Sequence, residues 1–153
     1  SSARHSNLGT ALLASGRVPE AIAAYEKALK LAPKDPGTES DLGAALLAHN
    51  RADEAIGHLE KAQKLAPKNA AILQNLAYAN HVKGAFDKAQ RLYEDALKLD
   101  DKLVSAWINL GNLHAQRGKI ADAKASYEKA KAIDPTDPRV KTAFTELEEL
   151  QKK

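Results

Sequence analysis

Shifting the chain by 34 residues brings it back onto itself four times, and this period constrains the fold more than any other feature of the 153 residues. Ala21, Ala55, Ala89 and Ala123 share one column, Tyr25, Leu59, Tyr93 and Tyr127 a second, and Ala28, Ala62, Ala96 and Ala130 a third. Upstream, Leu8-Gly9, Leu42-Gly43, Leu76-Ala77 and Leu110-Gly111 align, as do Gly16, Asn50, Gly84 and Gly118. Pro33, Pro67 and Pro135 close three of the units, with Asp101 in that place in the other. Small residues let helix backbones approach, the Tyr or Leu column is expected to fill the gap between neighbouring hairpins, Gly or Asn supplies a positive φ at a helix end, and Pro stops the second helix.

Within a unit the apolar residues recur at helical spacing, as in Ile22, Tyr25 and Leu29, and no alternating strand pattern occurs. First helices are predicted near 2–14, 36–48, 70–82 and 104–116, and second helices near 18–31, 53–65, 87–99 and 121–133. Asp53, Asp87 and Asp122 fall at or near second-helix starts, where a carboxylate satisfies free N–H groups and complements the dipole. Beyond Pro138, a stripe of Val140, Phe144, Leu147 and Leu150 with charged residues outside it predicts a capping helix. No such cap precedes residue 2, which leaves upstream repeats or a partner as the expected cover for the N-terminal face.

These residues resemble the tetratricopeptide repeat (TPR) family, whose pattern W-x2-L-G-x2-Y, then A-x3-F, then P, is met most fully by Trp107, Leu110, Gly111, Ala123, Tyr127 and Pro135. Departures fall on His5 and Glu39, where an aromatic is usual, and on the column of Leu12, Leu46, Asn80 and His114. The resemblance implies an all-α, right-handed solenoid of helix-turn-helix hairpins over 2–35, 36–69, 70–103 and 104–137, with a cap over 138–151. It also implies a concave groove lined by first helices and a non-catalytic scaffold or adaptor that holds an extended peptide or a partner helix.

One column is not required by stacking. Asn7, Asp41, Asn75 and Asn109 recur one residue before the packing Leu. A side-chain amide can pair with both N–H and C=O of an extended peptide, so such a column would hold a backbone with little regard for sequence. It is similar to the asparagine ladder of the TPR superhelix in the O-linked N-acetylglucosamine transferases, with Asp41 as the departure. The competing reading has these side chains bonding the adjoining repeat. Gln74, Tyr78, His81 and Asn112 complete the candidate groove set, amid mostly small or neutral neighbours such as Ser6, Thr10, Leu13 and Leu47. The cations of a carboxylate clamp for chaperone tails are missing from the matching positions Ser6, Thr10, Asp41, Ala71 and Asn75.

With no cysteine and no phosphate-cradling glycine loop, thiol catalysis and zinc-thiolate sites are excluded, and nothing forms a nucleophile elbow. The five histidines include no pair at i, i+4, so neither a metal site nor any other cofactor is expected. Lysines 27, 30, 34, 61, 64, 68, 98 and 102 gather near second-helix ends and solvate a convex edge. Docking of that edge on an anionic surface, including peripheral membrane contact, is an alternative, as is end-to-end self-assembly through the N-terminal face. Few aromatics accompany the lysines, which argues against nucleic acid. No stretch of eighteen apolar residues and no signal-peptide layout occurs, so a soluble chain is expected, cytoplasmic by default. The absence of methionine leaves processing from a longer polypeptide and engineering as alternatives.

Overall fold

The computed structural model describes all of residues 1–153 and consists of nine α-helices. These are α1 (Ser2–Ala14), α2 (Val18–Leu31), α3 (Pro36–Ala48), α4 (Ala52–Leu65), α5 (Ala70–Val82), α6 (Phe86–Leu99), α7 (Val104–Gln116), α8 (Ile120–Ile133) and α9 (Pro138–Gln151). The first helices of the hairpins start and stop where the repeat predicts. Three of the second helices begin one residue earlier than expected, which puts all four starts, at 18, 52, 86 and 120, in strict 34-residue register.

That turn is the same four times. Gly16, Gly84 and Gly118 take φ of 79°, 85° and 78°, and Asn50 takes 60°. The next N–H then folds back on the last turn of the first helix, as in Arg51 N to Leu46 O at 2.8 Å and Lys119 N to His114 O at 2.8 Å. This 6→1 closure is a Schellman motif and satisfies carbonyls the helix end would otherwise leave free. Asp53 and Asp87 are therefore not caps: α4 and α6 have no side-chain cap. Instead they reach across to the next unit, Asp53 to Lys83 at 2.8 Å and Asp87 to Arg117 at 2.9 Å. Side-chain caps belong to α1, α3, α5 and α9, where Ser1, Asp35, Asn69 and Asp137 accept from free N–H groups of the first turn.

The alanine columns are closed to solvent, Ala21, Ala55, Ala89 and Ala123 all at 0% exposure. The Tyr and Leu column lies inside its own hairpin, over the aligned glycine: a Cβ on Gly9 would sit 2.7 Å from the Tyr25 ring, and one on Gly43 2.6 Å from Leu59. This corrects the expectation that the column mainly fills the space between hairpins; Tyr127 does both, meeting Phe144 of α9 edge-on at 5.8 Å. The cap stripe also shifts by one member. Val140, Ala143 and Leu147 are buried, whereas Leu150 stands 43% exposed.

The curvature follows from which helices touch. Each first helix packs on the next unit's first helix, and α7 on α9, whereas second helices do not touch one another. First helices therefore line the inner, concave side. At the N-terminal end, Leu8 is 51% exposed although its column mates Leu42, Leu76 and Leu110 are buried. No helix is long and apolar enough to cross a membrane.

Candidate functional site

The concave face is laced by one polar side-chain bridge at each junction of first helices. Ser6 Oγ lies 3.4 Å from Thr38 Oγ1, whose own proton goes to Asp35 Oδ2 at 2.9 Å; Asn75 Nδ2 donates to Ser40 Oγ at 3.0 Å, and Arg139 Nη1 to Ser105 Oγ at 2.9 Å. Between α5 and α7, His81 Nε2 donates to Gln116 Oε1 at 2.8 Å. The bridged partners are 32 to 35 residues apart, which is the repeat period expressed as hydrogen bonds.

The buried tyrosines address the same face from behind. Tyr25 OH lies 3.0 Å from Thr10 Oγ1, and Tyr127 OH donates to Asn112 Oδ1 at 2.6 Å. Where Ala77 takes the place of the glycine, Tyr93 OH meets His81 Nδ1 instead, at 3.4 Å. Burial raises the pKa of all three phenols, with Tyr127 pushed up to about 12 by desolvation and by the Glu146 charge, so they stay protonated donors. Thr10, His81 and Asn112 are thus held in place by the hairpins that carry them.

Of the asparagine column, Asn75 is committed to Ser40, the bond to the adjoining repeat that competed with the ladder reading. Asn7 is exposed, Asp41 and Asn109 are half-buried, and none of the three has a side-chain hydrogen bond within the chain. Gln74 and His81 are half-buried and Tyr78 is exposed. Asn109 and Asn112 meet in a cleft of about 360 Å³ between α7 and α9, walled on the far side by Arg139, Thr142 and Glu146. The sequence reading has Glu146 only as a charge outside the cap stripe and does not place Arg139 or Thr142, although the 34-residue register carries on into α9 and aligns Arg139 with Ser105 and Glu146 with Asn112. Also missed was Val82, 51% exposed one turn after Tyr78, which is 42% exposed.

Asp41 is set apart by its electrostatics. Its carboxyl is raised above the ordinary aspartate range, first by desolvation and then by the nearby Asp35 charge, and its own charge is felt at the Tyr25 phenol. On the convex side, Glu39 takes the place of the usual aromatic and is nonetheless buried, 2.6 Å from His58 Nδ1. Lys30 and Lys61 lie beside this pair in a shallow cleft of about 490 Å³.

Three tetratricopeptide repeat models match residues 1–68, 40–101 and 83–147, so that the matches run through nearly the whole chain. The chain belongs to the tetratricopeptide repeat family. No curated protein matches it in sequence. Among solved structures it is similar to a thermophilic TPR protein of Thermus thermophilus, TTC0263, at 24% identity and a TM-score of 0.88, over 96% of this chain and 81% of that one. It is likewise similar to pilF of Pseudomonas aeruginosa, at 22% identity and a TM-score of 0.87, over 99% and 69% of the two chains. YrrB, described as a TPR protein with an unusual peptide-binding site, aligns at 19% identity with a TM-score of 0.78, over 95% and 75%. These likenesses establish the fold.

Proposed function

We propose that the chain is a non-catalytic adaptor that holds an extended peptide along its concave face. Family membership makes it a protein-interaction scaffold in general; the groove and its residues are the finer reading. The observation that carries it is the pair Tyr78 and Val82, an aromatic and a branched side chain 42% and 51% exposed one turn apart on α5, on a face whose other residues are mostly small or neutral. Exposed apolar groups rimmed by polar ones are how a protein surface marks a contact site. The rim supplies Gln74, His81, Asn109 and Asn112, and Asn7, Asp41 and Asn109 bring side-chain polar groups without intramolecular partners. An extended backbone fits this arrangement because its unpaired N–H and C=O groups match the amides while alternate side chains reach the apolar pair. Anchors fixed by Tyr93 and Tyr127 hydroxyls lower the ordering cost of binding.

The test is an array of random 12-residue peptides probed with the intact chain and with Tyr78→Ala/Val82→Ser. The double variant should lose most of the bound spots while its thermal midpoint stays within a few degrees of the parent, since both side chains are substantially exposed. An unchanged spot pattern would overturn the groove reading.

A further inference from the structure

The chain carries 23 basic and 20 acidic residues, yet among the inner-face columns headed by Ser6, Asn7, Thr10, Leu13 and Ala14 there is one formal charge, Asp41. Ion pairs answer seven of the twenty acidic residues. Glu20, Glu54, Asp53, Asp87, Asp137 and Glu149 each hold a Lys or Arg within ion-pair distance, and Glu39 holds His58. Asp41 holds none, and no donor within the chain bonds its carboxylate, although it is half-buried and has Asp35 close enough to repel it. A partly desolvated carboxylate without a partner lacks compensation that a cation arriving on the face would provide.

The C-terminal end of the face has the same sign. Glu146 lines the cleft with Asn109 and Asn112 and has no ion-pair partner, whereas the single cation there, Arg139, is already bound by Asp137 at 2.7 Å. The free charge of the groove is therefore negative in a chain whose formal net charge is +3, and the excess of lysine lies on the other side. Apolar surface is present on the same face, with Leu13 and Leu47 half-buried on α1 and α3 and Tyr78 exposed one unit on from Asp41. That combination fits a long side chain with an apolar stem and a charged tip, which lays its methylenes along apolar surface while the head meets an anion.

We propose that the segment bound on this face presents a lysine or arginine to Asp41, with uncharged or apolar residues on either side, and that acidic segments are rejected. This rests on the groove reading given above and adds the chemistry of its partner. Rejection comes from the same feature as selection: an acidic residue brought beside Asp41 would meet a like charge already strained by Asp35.

The experiment selects 12-residue peptides from a random display library on the intact chain, then measures the selected peptides by calorimetry against the parent, Asp41→Asn and Tyr78→Ala. The proposal expects a basic residue enriched at one position, about tenfold weaker binding to Asp41→Asn with the loss shrinking at high salt, and weaker binding to Tyr78→Ala as well. Peptides that depend on Tyr78 but show no basic enrichment, or bind Asp41→Asn as well as the parent, would overturn the proposal and leave the groove reading standing. Peptides indifferent to Tyr78, or no selected peptides at all, would overturn both. Asp41→Asn keeps the shape of the side chain and removes its uncompensated charge, so its fold is expected to be intact, and the unfolding curve measured alongside shows it.

Discussion

Along α5, Leu76 and Ala77 are closed to solvent at 1% and 0%, and the next residue, Tyr78, is 42% exposed. One step around the helix separates a seam that packs against the partner helices from the inner face that looks into the groove. The seam is mostly apolar and nearly the same in every unit. Its alanines sit at 0%, and Gly9, Gly43 and Gly111 lie under rings or branches that leave no room for a Cβ. The inner face changes from unit to unit: Thr10, Ala44, Tyr78 and Asn112 share one column. Seam positions must satisfy a geometry that the stacking repeats, so each column keeps residues of one size: small in the Ala and Gly columns, large in the Tyr and Leu columns. Inner-face positions answer to whatever lies in the groove, and the fold leaves them free to vary.

Substitution at the seam should break the fold where the same change on the face does not. Tyr93 is buried at 0% in the third unit, with its ring edge-to-face against His81 at 6.2 Å. Tyr93→Ala should cost about 4 kcal/mol in urea unfolding, through a cavity too deep for the helices to close and a hydroxyl lost to His81. Tyr78→Ala, the same chemical change on the neighbouring face, should stay within about 0.5 kcal/mol. Similar costs for the two would mean that the inner face is part of the packing.

A smaller effect sharpens the comparison where a polar residue has entered the seam. His114 occupies the column of Leu12, Leu46 and Asn80, is 8% exposed, and has a buried Nδ1 without a hydrogen-bond partner. Desolvation lowers its pKa, with Lys119 and Arg117 acting in the same direction and Asp122 and Glu94 opposing. Because the folded-state value is depressed, the neutral ring is at home in the fold while the unfolded chain takes up the proton first. Stability is then complete above the ordinary histidine value of 6.5 and falls as pH drops below it towards the folded-state pKa, by at most about 1.4 kcal/mol per pH unit. His114→Leu should flatten this slope and raise stability at every acidic pH. A slope that the substitution leaves unchanged would assign the acid sensitivity to another group.

The seam was legible in the sequence because it repeats: columns of Ala, Gly and Tyr at 34 residues name the helices, their partners and their turns. A bond from the asparagine column to the adjoining repeat was one of two readings, but the partners in the bridges between first helices were not legible. Asn75 to Ser40 and His81 to Gln116 join different columns, so no single column announces them, and Ser40 reads in sequence as one more small groove residue. Glu39 in an aromatic column reads as a weakened interface until His58, nineteen residues on, is placed against it by the hairpin. The wall that α9 gives to the groove was hidden for another reason. A helix read for its apolar stripe is read for the seam alone, and Arg139, Thr142 and Glu146 lie on its other face.

The smallest expected effect separates two residues that the sequence places in one column. Asn75 and Asn109 are both half-buried, but Asn75 donates to Ser40 at 3.0 Å and Asn109 has no partner within the chain. If the lacing of first helices contributes to the stack, Asn75→Ala costs about 1 kcal/mol, the net worth of one hydrogen bond between neutral groups, and Asn109→Ala costs nothing measurable. Binding should divide the other way. Asn109 has its full amide to offer to a peptide in the cleft beside Asn112, whereas the Asn75 amide has one donor already engaged, so Asn109→Ala should weaken the selected peptides more than Asn75→Ala does. Equal unfolding curves and equal losses of affinity would restore the two asparagines to one ladder and make the bond to Ser40 incidental.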